Sequence, residues 1–507
     1  MVLQAPEMTD GSVPRRGQPA RRSLRSAEEA DRLAAGPQLL GVRAPVVVAI
    51  FVLSLMIPAA FRLGSFRITP YTALLIVFFI PLIQTFLRDR TNRLVPLDIC
   101  MLAHVAWVAI AVIHAEGIGR IVFIVNTAIS QIGGYMIARV LIRDSRGYER
   151  FFQAFIIGLT LYMPLVMLEL LTGKAPLNDL LDHVMEAIPH AGQDTRMGLH
   201  RSQGFAEHPI IYGLFCSIGV ANLYYIYRGR FFRQMVHTGT ATLMTLMSMS
   251  SAPSLAAILQ LALIGWDRVT GQLRHKWAML VVLIAVPLLV GQIALPHGLV
   301  GFVIENISYD PVTGWARTEI FHYGFAEALR HPIFGIGFGE WLRPWWRGAS
   351  VDNFWLLMAM RYGFPALLFL WIGLGLHLGA LVSRQGLPQR VADCRLGYVF
   401  ALISMTFVLC TVHIWGATAI FIMTYIGAGA WIYTGPETAE SGLPRRAREL
   451  ERTGAEARAA ATGPARRAES GSATAARLRA GRTAPAQAAA STSPRSAGTH
   501  PGTGPSR

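Results

Sequence analysis

Long apolar runs alternate along this chain with short polar breaks, most of them basic. A helix needs about 20 apolar residues to cross a bilayer. It closes its own backbone hydrogen bonds there, which an open sheet does not. The pattern predicts twelve membrane helices, near 44–61, 70–87, 95–114, 119–142, 151–171, 209–227, 232–249, 251–266, 277–295, 353–381, 396–413 and 415–433. Only Ser250-Ser251-Ala252-Pro253 separates the seventh from the eighth, and the seventh carries Thr238, Thr240 and Thr242. The expected fold is an all-α polytopic membrane protein.

The polar breaks orient the helices. Five short breaks are dense in positive charge: Arg88, Arg90 and Arg93; Arg143, Arg146 and Arg150; Arg228, Arg230 and Arg233; Arg268, Arg274 and Lys276; Arg384, Arg390 and Arg395. The intervening breaks are sparser for their length. Short cytoplasmic loops concentrate Lys and Arg, so both termini are expected in the cytoplasm. Two long loops, 172–208 and 296–352, are then expected on the outer side. In the second, Trp315 to Leu329 fits an amphipathic surface helix. Trp315, Ile320, Phe321, Phe325 and Leu329 share one side, with Arg317, Thr318, Glu319 and Glu327 turned to water. Trp341, Trp345 and Trp346 suit an interfacial aromatic belt.

Residues 1–43 are polar and basic and lack the short apolar stretch of a cleavable signal peptide. They are expected to be disordered, with the first apolar segment retained as a helix. Residues 434–507 are Ala, Arg, Gly, Pro, Ser and Thr with almost no large apolar side chain, which predicts a disordered, basic cytoplasmic tail. Its arginines either hold it to anionic lipid or simply keep it soluble.

Composition agrees. The chain is 53% hydrophobic and 15% charged, against roughly one quarter charged in soluble domains. Its formal charge of +16 sits largely in the tails and short loops, so it reads as topology rather than as a nucleic-acid footprint. The four cysteines, Cys100, Cys216, Cys394 and Cys410, are scattered singly and form neither a metal spacing nor a disulfide framework. Among His190, His200, His208, His297, His322, His331 and His413, no pair has the helical spacing of a zinc site.

The chemistry concentrates in the outer loops. Arg201 precedes a membrane helix and Arg317 opens the amphipathic stretch. A guanidinium offers a fixed fork of donors that fits phosphate oxygens, so the two could clamp a diphosphate at headgroup level. Interfacial anchoring or ion pairing is the plainer role, and the one expected of Arg196, Arg330, Arg343 and Arg347. Asp352 stands at a helix start, where a carboxylate serves as a cap or as a general base. Asn353 could bind sugar hydroxyls. Arg361 lies two turns deeper and is costly in lipid, so it faces protein or a water-filled cavity, with Glu169 one acid it could pair with. Gly335-Ile336-Gly337-Phe338-Gly339 lacks the flanking strand and helix of a dinucleotide fingerprint. It reads as a tight turn near the membrane surface or a sugar.

Together these segments resemble a family. An outer Arg leads to Gly204-Phe205 and His208-Pro209. Trp315 and Arg317 lead to His331-Pro332, Gly335 and Gly337. Val351-Asp352-Asn353, Trp355-Leu356, Arg361-Tyr362-Gly363 and Pro365 follow. The order is similar to that of the O-antigen ligase and O-antigen polymerase superfamily of bacterial inner membranes, over about 45–433 and most closely over 312–370. The resemblance implies a glycosyltransferase C-like helical fold. It implies transfer of a glycan from undecaprenyl diphosphate, on the periplasmic face, to another lipid-linked repeat or to a lipid A–core acceptor. It assigns Arg201 and Arg317 to the diphosphate and puts Asp352 at the position of the acid–base residue, so Asp352 and Arg317 are the candidate catalytic residues, with Arg201, Asn353 and Arg361 the candidate substrate-binding ones. No metal and no other cofactor is implied; membrane lipids and polysaccharide-assembly proteins are the expected neighbours. Asp352 stands where the family usually has His, and Ser250-Ser251 where it often has Ser-Arg. Two rival expectations are a lipid-linked-sugar flippase, for which Glu169 and Arg361 speak, and a scaffold acting through its tail.

Overall fold

The computed structural model describes residues 38–63, 66–89, 92–189, 195–295, 297–307 and 310–439. Of the two terminal stretches expected to be disordered, 1–37 and 440–507 lie outside the described residues. Within reach, Gln38–Leu39 (β1) pairs with Val42–Arg43 (β2), and Pro436–Ala439 is helical.

Helices dominate, and each of the twelve expected segments carries one: Ala44–Ser54 (α1), Pro70–Arg88 (α2), Pro96–Glu116 (α3), Ile118–Leu141 (α4), Ser145–Thr172 (α5), Pro209–Ile226 (α7), Phe231–Leu246 (α8), Ser251–Val269 (α9), Lys276–Ala294 (α10), Phe354–Ser383 (α13), Gln389–Val408 (α14) and Gly416–Thr434 (α15). Pro176–Leu181 (α6), Gly298–Asn306 (α11) and Pro311–Arg330 (α12) lie in the two long loops. Among the described residues, nine helices are long and apolar enough to cross a membrane. The exceptions are α1, with 11 residues, α8, with 16, and α9, which carries Ser251, Ser254, Gln260, Asp267 and Arg268.

Two boundaries depart from the hydrophobic pattern. The helix expected over 44–61 stops at Ser54. Pro58 cannot donate to a helix, its carbonyl takes the Ile188 amide at 2.9 Å, and Ala59–Leu63 (β3) pairs with Phe66–Ile68 (β4) and Glu186–Ala187 (β5). The helix expected over 396–413 begins earlier, at Gln389, and ends at Val408. The carbonyls of Leu409 and Val412 accept the Phe354 amide at 2.9 and 3.0 Å, so 409–415 becomes a turn capping α13.

The Arg-rich breaks are cross-linked at one end. Asp89 pairs with Arg143, Glu149 with Arg230 and Arg390, Arg228 with Asp393 at 2.7 Å, and Lys276 with Asp267 at 2.6 Å. Beneath them Arg139 grips the buried Asp98 at 3.0 Å. Helix α5 starts at this end and its 28 residues run roughly 42 Å at 1.5 Å per residue. Its far end reaches the loop holding Arg201. Between the ends, Phe155, Phe215 and Phe421 stack at 4.1–5.5 Å, locking α5, α7 and α15 together. Helix α10 differs from the others in having no buried residue.

Helix α13 is broken at Gly363, whose φ of 80° and ψ of 167° are not helical. The segment 331–339 fills the break. The Ile336 amide donates to Met360 O (2.8 Å), Gly337 to Arg361 O (3.0 Å), and Phe364 to Pro332 O (2.8 Å). Trp107 of α3 donates its indole N–H to Tyr362 O at 3.1 Å. Backbone freed within a membrane helix needs such partners. The glycine run is therefore a turn, as expected, but one fitted to a helix rather than to a sugar.

Candidate functional site

The loop after the β6–β7 hairpin (Thr195–Arg196 and Leu199–His200) is fixed before any ligand arrives. Glu169, buried near the end of α5, accepts the Gln203 amide at 2.8 Å and the Gly204 amide at 3.0 Å. Phe205 plugs into the aromatic core, 4.9 Å from Phe215. Gly204 has φ +55°, and a Cβ there would lie 2.6 Å from the Tyr212 ring. Arg201 is thus held rigidly, its Nη2 donating to Ser250 Oγ at 3.1 Å. Glu169→Ala orphans two buried amides, at about 1–3 kcal/mol each. The expected outcome is a lower melting temperature with faster hydrogen exchange at 201–204; unchanged exchange there would show that Glu169 does not hold the loop.

Four helix N-termini meet beside Arg201. Helix α7 starts at His208, whose Nδ1 accepts the Ile210 amide at 3.1 Å. Helix α9 starts at Ser250 and has no side-chain cap. Helix α12 starts at Asp310, whose carboxylate takes the Val312 and Thr313 amides. Helix α13 starts at Asn353, whose Oδ1 takes the Leu356 amide at 3.0 Å. Between them lies a cavity of about 230 Å³, walled by Arg196, Arg201 and Arg317, by Asp310 and Asp352, and by first-turn residues such as Ser251 and Thr313. Each helix N-terminus carries about half a positive charge and offers unpaired N–H groups. Three guanidiniums against two carboxylates add to that, which leaves the cavity wall net positive.

Arg317 is only partly compensated by the fold. Among the described residues it has no carboxylate within ion-pairing distance, and its Nε is buried without a hydrogen-bond partner. Burial pushes its pKa below the usual arginine value; Asp352 draws it back up and Arg196 adds to the lowering. Arg196 is tied to Asp310 at 3.9 Å and to Met249 O at 3.2 Å. Asp352 accepts from Ser350 Oγ at 2.8 Å.

The fold therefore brings Arg201, Arg317 and Asp352 into one wall. Asn353 and Arg361 are not in it. Asn353 uses its Oδ1 as a cap, and the Arg361 guanidinium lies 5.1 Å from the Phe338 ring centroid. Glu169 serves the Arg201 loop rather than a role with Arg361. Arg330, Arg343 and Arg347 make the expected ion pairs, with Glu327, Glu340 and Glu319. Glu327, expected to face water, is buried instead: the chain after α12 folds back, and Leu342 N donates to its carboxylate at 3.4 Å. Sequence reasoning missed Arg196, His208, Ser250, Ser251 and Asp310 as wall residues. The Ser-x-Pro start of α9, the His-Pro start of α7 and the Asp-Pro start of α12 signal helix N-termini in the sequence. Among the described residues, no group of three or more His, Cys, Asp or Glu is placed to share a metal ion.

His413, in the 409–415 turn, was also missed. Burial lowers its pKa to about 4, Arg361 acting the same way and Asp352 opposing. The unfolded chain takes up a proton near pH 6.5 and the folded one only near 4. This contribution to stability is full above about pH 6.5 and is lost as pH falls toward 4. His413→Gln should flatten that part of a melting-temperature profile; an unchanged slope would remove His413 from the account.

The fold and site define a helical protein with nine potential membrane spans among the described residues and a cationic cavity at one end. No family model and no characterised protein matches the chain in sequence comparison.

Proposed function

We propose that this chain is an inner-membrane glycosyltransferase of the O-antigen ligase and polymerase type. It transfers a glycan from undecaprenyl diphosphate to an acceptor hydroxyl on the periplasmic face, as a polymerase or as a ligase. In this reading the twelve helical segments form the membrane domain in a glycosyltransferase C-like arrangement, both termini are cytoplasmic, and the cavity opens outward. The cross-linked basic breaks at the other end support that orientation.

The observation that carries the reading is the convergence of Arg196, Arg201 and Arg317 with four helix N-termini around one cavity that Asp352 also lines. The acceptor oxygen attacks the anomeric carbon, the bond from that carbon to the diphosphate oxygen breaks, and the hydroxyl proton passes to Asp352. Negative charge grows on the departing diphosphate, where preorganised donors act most strongly. Arg317, which makes no ion pair among the described residues, is the group most available for that charge.

A lipid-linked-sugar flippase is the competing reading, since transporters also use broken helices. The break in α13 is the feature that favours it. Against it, the carbonyls of Met360 and Arg361 are occupied by the 331–339 segment. The deciding experiment places purified protein in liposomes with a lipid-diphosphate-linked oligosaccharide. Longer or transferred glycan together with free undecaprenyl diphosphate supports the transferase. Movement of the carrier across the bilayer without bond cleavage refutes it.

A further inference from the structure

A second cluster lies beside the cavity, assembled from the 409–415 turn and the start of α7. Trp415 immediately precedes α15 and is 40% exposed. Its ring lies 5.7 Å from that of His413 and 6.2 Å from that of His208. Glu207 sits directly over Gly416. That glycine has φ +57°, and a Cβ there would fall 2.0 Å from Glu207 Oε1. His208 also lines the cavity, and Asp352 acts electrostatically on His413, so the two sites adjoin.

Two buried polar atoms in this cluster, Nδ1 of His413 and Oε2 of Glu207, have no hydrogen-bond partner among the described residues. Unsatisfied buried polar atoms are costly and uncommon in folded chains. Burial raises the Glu207 pKa, consistent with a carboxyl short of partners.

We infer that Trp415, His413, His208 and Glu207 form a saccharide subsite that seats the acceptor glycan against the diphosphate cavity. The face of an indole is electron-rich and attracts the weakly positive C–H face of a pyranose. Glu207 and His413 supply the acceptors and donors that sugar hydroxyls need. The rings of His413 and His208 lie close to Trp415 and bound the platform. Asp352 lines the cavity and acts on His413, so it is the carboxylate the two sites share and the one to take the hydroxyl proton.

This placement rests on the glycosyl-transfer reading, but its test is separate. Full-length protein in nanodiscs is probed by saturation-transfer difference NMR with a panel of methyl glycosides, and by calorimetry with inorganic pyrophosphate. Saccharide signal should be present in the parent protein and fall about tenfold in Trp415→Ala, with partial recovery in Trp415→Phe and pyrophosphate binding retained. Glu207→Gln, which keeps the shape, should also weaken the saccharide signal. It serves as the second variant should Trp415→Ala fold poorly. Full saccharide signal in either well-folded variant, or none in the parent, overturns the subsite. Loss of pyrophosphate binding in the parent overturns the diphosphate site and leaves the saccharide result standing alone.

Discussion

Arg317→Ala should lower glycan transfer about a hundred- to a thousandfold, the usual cost of losing one donor aimed at developing charge. The same change should leave melting temperature level or raise it. Arg317 makes no ion pair among the described residues, and its Nε is buried without a partner. Removing a poorly compensated cation from a half-buried site relieves a desolvation penalty instead of breaking a bond. A structural arginine gives the opposite pair of results, with activity and stability falling together. Arg317→Lys keeps the charge but loses the planar fork, so it should recover part of the rate. Rates on a lipid-diphosphate donor and fluorescence melts in one detergent check both halves. Full activity in well-folded Arg317→Ala sinks the proposed function.

Gly363→Ala is expected to have the largest effect on folding. A Cβ at this position would lie 1.9 Å from Ile333 O and 2.3 Å from Ile333 C, backbone atoms that cannot swing aside. The backbone there, at φ 80° and ψ 167°, belongs to glycine almost alone; strain of this kind costs about 1–3 kcal/mol before the clash is counted. Expelling the 331–339 segment also breaks the bonds from Ile336 to Met360 O and from Gly337 to Arg361 O. Buried backbone groups left unmatched cost about 1–3 kcal/mol each. Most of the protein should then elute as aggregate in size-exclusion chromatography. Gly335→Ala, with its Cβ 2.4 Å from Arg361 C, should act in the same direction. Monomeric yield and melting temperature equal to the parent would show that the break does not need its glycine.

The helices were legible because an apolar run of membrane length leaves the backbone little alternative. The errors fell where hydrophobicity and partner choice diverge. Ala59, Ala60 and Phe61 are as apolar as a helix requires, yet β5, far along the chain, claims Ala59 and Ala60 as a strand and β4 pairs with Phe61. Gln389 to Arg395 are too polar to read as a span, yet they are helical because Asp393 and Arg390 find Arg228 and Glu149.

Part of the site was legible as well. Arg201, Arg317 and Asp352 stand out as charges beside membrane helices, and they share one wall. Ser250 and Asp310 join them because four helices begin at the same place, and Arg196 because the β6–β7 hairpin carries it there. No local pattern encodes that meeting. His413 is still less visible, since its surroundings, Asp352, Arg361 and Trp415, are assembled by the turn that caps α13. Asn353, expected to bind sugar hydroxyls, has its Oδ1 engaged by the Leu356 amide at 3.0 Å.

Helix α10 is anchored at its start by Lys276 on Asp267 and by Trp277 against Phe400, and buries nothing between its ends. In a bilayer its neighbours along most of its length are acyl chains, which have no fixed shape to match. Exchanges among Leu, Val and Ile in 281–290 should therefore be nearly silent, while one aspartate at the midpoint carries a penalty of about 2.5–3.5 kcal/mol on insertion scales. This stretch answers to solubility in oil alone, so mutational drift there is free in identity and tightly bounded in polarity.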